Sequence, residues 1–301
     1  MSQLQRVLAI VIVTGVVALA GLVSAGALWR CKLRSPWLHI ARGLVSLLIA
    51  GVLALLYGVF IEADWLEVTH VTVTTKKFPV GKTFRIAHFS DLHVDDNSRA
   101  ISRLTDVLRK DQPDVIVFTG DSINERDAAP LFRRIMSQLP AKYGRFAVRG
   151  NHDTSRWADV NLFDNGPATE LNSEFPVQRE AQRVALCGAP FDDPEVLAHC
   201  LSNTQRSAFT IAVFHTPDLV ESLAPQPDLY LAGHTHGGQI ALPFYGAVIT
   251  FSKFDKKYEA GRYRVGETTL YVNRGIGFEP QLPKVRLLAR PELTLIDVVG
   301  E

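Results

Sequence analysis

The sequence predicts an α/β fold in which two packed sheets are flanked by helices, preceded by two transmembrane helices. Three observations lead to this prediction. Two uncharged apolar segments lie near the N-terminus, and short runs rich in Val, Ile and Phe recur through the remainder. Segments with helical periodicity alternate with these runs in the first half of the remainder. Residues 1–66 are therefore predicted to form a membrane anchor and residues 67–301 a single folded domain.

The predicted anchor consists of two spans. Val7 to Trp29 and Gly43 to Ile61 contain 23 and 19 residues without a charged side chain, and about 20 apolar residues cross a hydrocarbon core. A cleavable signal is the alternative for the first span, since its Ala-Gly-Ala at positions 25–27 resembles a peptidase site. The first span is long for a signal, however, and a second follows at once. The pattern favours a helical hairpin, and hence a multi-pass protein of the cell (inner) membrane.

The charges that flank the spans predict their orientation. Four basic residues, at positions 30, 32, 34 and 42, separate the spans, whereas only Arg6 precedes the first. Short loops rich in Lys and Arg stay in the cytoplasm. The N-terminus and the folded domain are then expected on the non-cytoplasmic side, although Lys76 and Lys77 weaken the bias because they lie close to the second span.

The folded domain is acidic. The chain carries a formal charge of +1, but beyond residue 61 there are 27 basic and 31 acidic residues. A net charge of −4 argues against a nucleic-acid partner. Three cysteines are present. Cys187 and Cys200 are compatible with buried thiols or, outside the cytoplasm, with a disulfide that the sequence alone does not favour.

Strands and helices are predicted along the domain from the period of its apolar residues. Helices are expected at Arg99 to Lys110 and at Ala129 to Leu139. Strands are expected at Val68 to Thr75, Arg85 to Ser90, Asp114 to Thr119, Arg145 to Val148, Val184 to Cys187, Thr210 to Phe214, Tyr230 to Ala232, Thr268 to Asn273 and Leu293 to Val298.

Polar clusters follow several of these strands and contain the residue types that bind metal ions. In chain order they are Asp91-Leu92-His93, Gly120-Asp121, Gly150-Asn151-His152, His215 and Gly233-His234-Thr235-His236. Each cluster alone is a weak signal, because Asp, Asn and Gly are also ordinary turn residues. Their number, order and place at strand ends together predict a metal site on loops at one edge of the central strands.

The residue types indicate a two-metal centre. Two divalent ions about 3.5 to 4 Å apart repel each other, and a shared carboxylate relieves this repulsion. Asp121 is the best candidate for that role, since Gly120 before it permits a sharp turn of the backbone. Asp91 and His93 alternate with a leucine, which places both on one face of an extended chain. The mixed oxygen and nitrogen donors suit Mn, Fe or Zn.

The order of these motifs resembles that of the calcineurin-like metallophosphoesterase superfamily, from about Glu67 to the C-terminus. The segments at 86–93 (Ile-Ala-His-Phe-Ser-Asp-Leu-His), 233–240 (Gly-His-Thr-His-Gly-Gly-Gln-Ile) and 290–296 (Arg-Pro-Glu-Leu-Thr-Leu-Ile) resemble its membrane-tethered bacterial phosphodiesterase branch, which includes some UDP-2,3-diacylglucosamine pyrophosphatases. The resemblance implies a four-layer α/β/β/α sandwich. It also implies two divalent transition metal ions per chain.

The resemblance further implies a role for each site residue. Asp91, His93 and His236 would bind the first ion, Asn151, His215 and His234 the second, and Asp121 both. His152 would be catalytic, as a proton donor to the leaving oxygen or a stabiliser of transition-state charge. A hydroxide shared by the metals would be the nucleophile. Asp153, which follows His152, has two possible roles. It either orients the imidazole of His152 or caps the segment that follows.

The expected function is hydrolysis of phosphodiester or pyrophosphate bonds, in lipid-linked or envelope substrates. Phosphomonoesterase activity is the alternative within enzymes, and a noncatalytic metal-containing sensing module in the membrane is the alternative outside them. The lipid bilayer and a phosphorylated small molecule or lipid are the expected partners. Aromatic and lysine residues between Leu242 and Tyr258 either engage lipid or, as the simpler interpretation, pack on the domain with the lysines solvated.

Overall fold

The computed structural model describes residues 36–95, 99–164 and 166–301, together with six positions between 15 and 29. Contacts divide the chain into two compact units, Met1–Ile61 and Glu62–Glu301. Apart from those six positions, the first predicted span, Val7 to Trp29, lies outside the described residues.

The first unit contains helix α1, Pro36–Phe60, which covers most of the second predicted span. Proline suits the first turn of a helix, because the missing N–H has no partner there anyway. At 1.5 Å per residue these 25 residues extend about 38 Å. Among the described residues, one helix is long and apolar enough to cross a membrane.

The second unit is built from fourteen strands and four further helices within the described residues. The helices are α2 (Arg99–Asp111), α3 (Ala129–Gln138), α4 (Asn151–Ser155) and α5 (Glu195–Asn203). The strands are β1 (Glu67–Thr75), β2 (Thr83–Phe89), β3 (Val115–Phe118), β4 (Arg145–Ala147), β5 (Thr169–Glu170), β6 (Glu174–Arg179), β7 (Gln182–Gly188), β8 (Phe209–Val213), β9 (Leu229–Ala232), β10 (Ala241–Leu242), β11 (Gly246–Ala247), β12 (Gly261–Val265), β13 (Thr268–Val272) and β14 (Glu292–Gly300).

These strands form two six-stranded sheets and a small hairpin. The first sheet has the order β1-β14-β2-β3-β4-β5, and β2 to β5 run parallel. The second has the order β12-β13-β9-β8-β7-β6, with a parallel centre and an antiparallel strand at each edge. Strands β10 and β11 pair only with each other.

Alternation along the strands produces four layers. On β3, Val117 faces the core between the two sheets, whereas Phe118 faces α2 and α3 on the outside of the first sheet. Successive side chains of a strand point to opposite faces, so an all-apolar strand supplies both cores. Leu197 of α5 packs against the outer face of the second sheet. The layers are thus helix, sheet, sheet and helix, as predicted for this domain.

The two predicted helices and nine predicted strands are confirmed to within about two residues at each end. The sequence did not predict the helices α4 and α5 or the strands β5, β6, β10, β11 and β12. The longer of these strands, β6 and β12, are sheet edges with mostly exposed or half-buried residues, so they lack the continuous apolar runs of the central strands.

Cys187 and Cys200 form a disulfide that joins β7 to α5. The sequence left this pairing open and did not favour it. The two cysteines lie on different elements, and their proximity depends on how α5 packs on the second sheet.

Candidate metal centre

The predicted metal ligands converge at the C-terminal ends of the central strands of both sheets. Asp91 and His93 follow β2, Asp121 follows β3, Asn151 follows β4, His215 follows β8, and His234 and His236 follow β9. Parallel strands end at the same edge of a sheet, so their following loops meet there. The face-to-face packing of the sheets then brings the loops of one sheet against those of the other.

Most of these ligand positions have a backbone conformation that L-residues rarely adopt. The φ angles are positive at Asp91 (49°), His93 (42°), Asp121 (59°), His234 (72°) and His236 (52°). Such conformations cost free energy and concentrate at functional sites. Gly120, at φ 97°, makes the turn before Asp121, and a Cβ there would lie 2.5 Å from the backbone nitrogen of Gly150. The turn expected from Gly120 is therefore present.

Asp91, His93 and His236 form a first cluster of donor atoms. Their ligand atoms lie within 4.8 Å of one another, and the Nε2 of His236 is 3.5 Å from the Oδ1 of Asp91. All three residues are buried. The Oδ1 of Asp91 and the Nε2 atoms of His93 and His236 have no hydrogen-bond partner. Buried polar atoms without partners are costly, and a cation placed among these three would satisfy them all.

Asp121, His215 and His234 form a second cluster, again with ligand atoms within 4.8 Å of one another. The Nε2 of His215 lies 3.1 Å from the Nδ1 of His234 and 2.8 Å from the Oδ1 of Asn151. Asn151 therefore reaches this cluster as the sequence predicted. An amide oxygen, two imidazoles and a carboxylate form a donor set suited to a transition metal ion.

Asp121 lies between the two clusters. Its Oδ2 is 3.5 Å from the Nε2 of His93 and 3.4 Å from the Nε2 of His215. Its Oδ1 accepts a hydrogen bond of 2.9 Å from the backbone N–H of His152. One oxygen therefore faces both clusters while the other is fixed by the backbone, which is the arrangement that a shared carboxylate requires.

Hydrogen bonds at the Nδ1 atoms of two imidazole rings turn their Nε2 atoms toward the two clusters. The Nδ1 of His93 is 2.8 Å from the side-chain oxygen of Asn124, and the Nδ1 of His215 is 2.7 Å from the carbonyl oxygen of Thr119. An oxygen acceptor at Nδ1 places the proton there. Such outer contacts orient histidine ligands in metal sites.

The charge balance of the pocket also fits a cation. Burial lowers the pKa of His93 and of His234 to about 4, which keeps both imidazoles neutral and able to bind a metal. Burial opposes charge on His215 as well, but the Asp121 and Asp91 carboxylates outweigh it and raise the pKa of His215 to about 9. The carboxylates thus hold positive charge between them, a role that a metal ion fills more completely.

His152 lies beside both clusters and belongs to neither. Its ring is 5.1 Å from that of His93 and nearly perpendicular to it, and its Nε2 is 3.3 Å from a carboxylate oxygen of Glu279. Burial lowers the pKa of His152, but the hydrogen bond to Glu279 and the charge of Asp121 outweigh burial and raise it. A protonated imidazole with a carboxylate behind it is suited to donate a proton.

Sequence reasoning missed two residues that support the site. Glu279 pairs with His152 across 127 positions of the chain. Arg286 is fully buried, and its guanidinium donates to the carbonyl oxygens of His236, Arg274 and Ala289. Both belong to an irregular segment without apolar periodicity, and their residue types gave no signal. The sequence of this segment alone could not have identified them.

Asp153 supports the backbone and does not orient His152. Its carboxylate accepts hydrogen bonds from the backbone N–H groups of Asp121 (2.9 Å), Ser122 (2.9 Å) and Gly150 (3.0 Å). The bond from Gly150 is a cap of α4, so the capping interpretation is the correct one. The same carboxylate also joins the loop after β3 to the loop after β4.

Comparisons with known proteins agree with this geometry. The sequence profile of the calcineurin-like phosphoesterase family matches residues 84–238, a range that begins in β2 and ends directly after His236. The chain is 34% identical over 258 residues to the uncharacterized metallophosphoesterase YkuE of Bacillus subtilis, and the match covers 79% of the chain and 87% of that relative.

Two relatives carry more specific names. The phosphodiesterase YaeI of Escherichia coli is 28% identical over 264 residues, with 81% of the chain and 92% of the relative covered. The UDP-2,3-diacylglucosamine pyrophosphatase LpxG of Chlamydia trachomatis is 24% identical over 328 residues, with 87% and 98% covered.

Proposed function

Because the chain belongs to the calcineurin-like phosphoesterase family, we propose that it is a membrane-anchored two-metal enzyme that hydrolyses phosphodiester or pyrophosphate bonds. Its identity as a metal-dependent phosphoester hydrolase follows from the family and from its phosphodiesterase and pyrophosphatase relatives. The observation that carries the more specific proposal is the position of the Asp121 carboxylate between two clusters of donor atoms.

Seven residues would hold the metals. Asp91, His93 and His236 would bind the first ion, Asn151, His215 and His234 the second, and Asp121 would contact both. The buried donor atoms without partners support the first set, and the short distances around His215 support the second. When bound, two divalent ions polarise the phosphoryl oxygens and lower the pKa of water toward neutrality. Mn, Fe and Zn suit this donor set.

His152 is the proposed general acid. Burial lowers the pKa of His152, but Glu279 and Asp121 raise it overall, which favours the protonated imidazole, and Glu279 fixes the ring through its Nε2. During hydrolysis, His152 would donate a proton to the departing oxygen or stabilise the charge on the phosphoryl group. The Asp121 carboxylate remains oriented throughout, because the backbone N–H of His152 is bonded to its other oxygen.

His152 also favours an enzyme over a noncatalytic sensing module. A module that only retains metal needs the seven ligands, but it has no use for a buried imidazole beside them. The same metals and the same acid serve phosphomonoesters, so monoesterase activity is the second candidate. The relatives named for diester and pyrophosphate hydrolysis support the first.

A lipid-linked or envelope phosphate is the proposed substrate class. Helix α1 supports a membrane location, since it is apolar and long enough to span a bilayer. A pyrophosphatase of a diacylated sugar nucleotide among the relatives supports a lipid substrate. The anchor would consist of two spans, Val7 to Trp29 and Gly43 to Ile61, and would keep the site close to such substrates.

The domain would lie outside the cytoplasm. Four basic residues between the predicted spans support a cytoplasmic loop. The disulfide between Cys187 and Cys200 supports an oxidising compartment for the domain. Thiol labelling of the full chain taken from intact cells tests this proposal. Cys31 is first replaced by serine, so that Cys187 and Cys200 are the only thiols measured. In the unfolded chain both should react with a maleimide only after reduction, and labelling without reduction would argue for a cytoplasmic domain.

Metal analysis together with a substrate panel tests the function. The detergent-solubilised full chain should contain two transition metal ions and should hydrolyse diesters or pyrophosphates faster than monoesters. Asp121→Asn should abolish activity and reduce the metal content well below two per chain, because the shared carboxylate loses its charge. Asp127 is exposed, so Asp127→Asn is the matched control and should change neither. Full metal content in Asp121→Asn would refute the shared-ligand role.

A further inference from the structure

A segment rich in exposed apolar side chains follows the last metal ligands. It runs from 241 to 251, contains the paired strands β10 and β11, and is named here the aromatic hairpin. Its exposed fractions are large for apolar residues: Leu242 46%, Phe244 111%, Tyr245 58%, Val248 51%, Ile249 46% and Phe251 38%. The sequence predicted that the aromatic side chains between Leu242 and Tyr258 pack on the domain or engage lipid. Tyr258 is buried, whereas these side chains of the hairpin are exposed. Six exposed apolar side chains within one short segment point to an interaction surface.

Two of these aromatic residues have a strained backbone conformation. Phe244 and Phe251 have φ angles of 65° and 56°, a region that bulky residues rarely occupy. Neither ring gains full burial in return. The ring of Phe251 still packs beside that of His234, whereas the ring of Phe244 is fully exposed. The strain at Phe244 therefore points to a role for the exposed ring itself.

The base of the aromatic hairpin is fixed to the metal site. The Nε2 of His234 lies 3.2 Å from the carbonyl oxygen of Phe251, and the two rings are 6.3 Å apart. Ala247 is buried, and a Cβ on Gly238 would lie 2.6 Å from its Cβ. Whatever binds the tip is therefore held beside the second cluster of metal ligands.

The charged groups around the aromatic hairpin are largely paired. Lys256 forms an ion pair with Glu259 and lies 4.0 Å from the centre of the Tyr245 ring, and Lys257 pairs with Glu221. Asp218 accepts hydrogen bonds from Ser252 and from the backbone of Lys253. The surface thus offers apolar area rimmed by neutralised charges, which does not select a charged protein partner.

We propose that the aromatic hairpin inserts into the interfacial layer of a lipid bilayer and holds the metal site next to phosphate groups at the membrane surface. The inference rests on the proposed membrane-anchored function. Phe and Tyr side chains with lysines at their edge are the residues that settle at membrane interfaces. A tip whose Phe244 ring is fully exposed suits a soft layer of lipid better than the surface of a folded protein. Helix α1 of the same chain would provide the tether.

A fluorescent label at the tip measures insertion directly. The full chain carrying Phe244→Cys is labelled with an environment-sensitive dye in a Cys31→Ser background and reconstituted into vesicles of phosphatidylcholine with phosphatidylglycerol. Nitroxide-labelled lipids should quench this dye, and iodide in the water should not. Val80 provides the matched control. It is an exposed apolar residue (82%) in the turn before β2, at the end of that strand opposite the metal ligands, and a dye at Val80→Cys should respond only to iodide.

The second measurement compares the hydrolysis of a diester in vesicles with that of a soluble diester. Phe244→Ser combined with Tyr245→Ser should reduce hydrolysis of a nitrophenyl phosphatidyl diester in vesicles by about tenfold or more, because one large apolar side chain contributes roughly that factor. Hydrolysis of soluble bis-nitrophenyl phosphate should not change, since neither residue contacts the metal ligands. Val80→Ser should leave both rates unchanged.

The outcomes separate this inference from the proposed function. If iodide quenches the dyes at both positions equally, or if the double substitution lowers both rates equally, the hairpin does not insert. A tip dye shielded from iodide and also from nitroxide lipids would indicate a protein cover and overturn the proposal. Absence of soluble diester hydrolysis in the unmodified chain would refute the proposed function, while the dye result would still decide insertion.

Discussion

Replacing His152 by alanine separates catalysis from metal binding. The imidazole is 5% exposed and lies outside both donor clusters. The contribution of His152 to the metal centre is its backbone N–H, which holds the Oδ1 of Asp121 at 2.9 Å. Alanine retains that N–H. The metal ligands should therefore keep their positions, and His152→Ala should still bind two metal ions.

The expected kinetic loss follows from the role of a general acid. Such a group contributes typically 10²- to 10⁴-fold to the rate, which corresponds to about 3 to 5 kcal/mol of transition-state stabilisation. The loss should appear in kcat. The free energy of unfolding should fall by about 1 to 3 kcal/mol, because the partly buried Glu279 carboxylate loses its hydrogen-bond partner. Assays should therefore be run well below the midpoint of thermal unfolding.

The assay compares leaving groups. A nitrophenolate leaves readily without a proton, so nitrophenyl diesters should lose less in His152→Ala than alkyl or sugar diesters do. Equal losses with metals retained would favour charge stabilisation over proton donation. A metal content as low as that of His215→Ala would make His152 a ligand and refute the acid role. His199 lies on α5, away from the site, and His199→Ala is the control for histidine loss.

Three further predictions address other parts of the molecule. Glu279→Gln should move the alkaline limb of the pH–rate profile to lower pH, because Glu279 helps to raise the pKa of His152 and the acid is active only when protonated; an unchanged limb would exclude this coupling. Gly233→Ala should cost about 1 to 3 kcal/mol in thermal unfolding and most of the diesterase activity, since the new Cβ would lie 2.4 Å from the Oδ2 of Asp91; wild-type metal content and rate would contradict the crowding. A reporter fused after Glu301 that works only outside the cytoplasm should be active, and activity only from a cytoplasmic reporter would reverse the orientation.

Local pattern made the central fold predictable. Strands such as β3, with four fully buried apolar residues, can be predicted from the sequence, because burial on both faces requires an unbroken apolar run. Edge strands such as β12 alternate between half-buried and exposed residues and carry Arg where a central strand carries Val. The small hairpin of β10 and β11 is shorter still. The position of this hairpin depends on the conformation of the loop after β9, which the apolar pattern of the sequence does not predict.

The same contrast holds within the site. The seven proposed ligands could be predicted because their residue types are chemically distinctive and each follows a strand that the apolar pattern also predicts. Glu279 and Arg286 could not, because a glutamate or an arginine in an irregular segment has many ordinary roles. Only the folded chain shows that Glu279 reaches His152 and that Arg286 fixes the carbonyl of His236. The pairing of Cys187 with Cys200 could not be predicted for the same reason, since two cysteines in a sequence give no information on how α5 packs.

The backbone conformation and the buried ligand atoms of the proposed metal centre both favour a bound cation. Five of the proposed ligand residues have positive φ angles. Three buried ligand atoms, one carboxylate oxygen and two imidazole nitrogens, have no hydrogen-bond partner. Each of these features costs free energy. A bound ion would satisfy the donor atoms and favour the strained turns, so metal removal should lower the stability of the domain as well as its activity. His152 lies outside this balance. It is not needed to satisfy the ligand atoms, and its proposed role as general acid would explain its burial against Glu279.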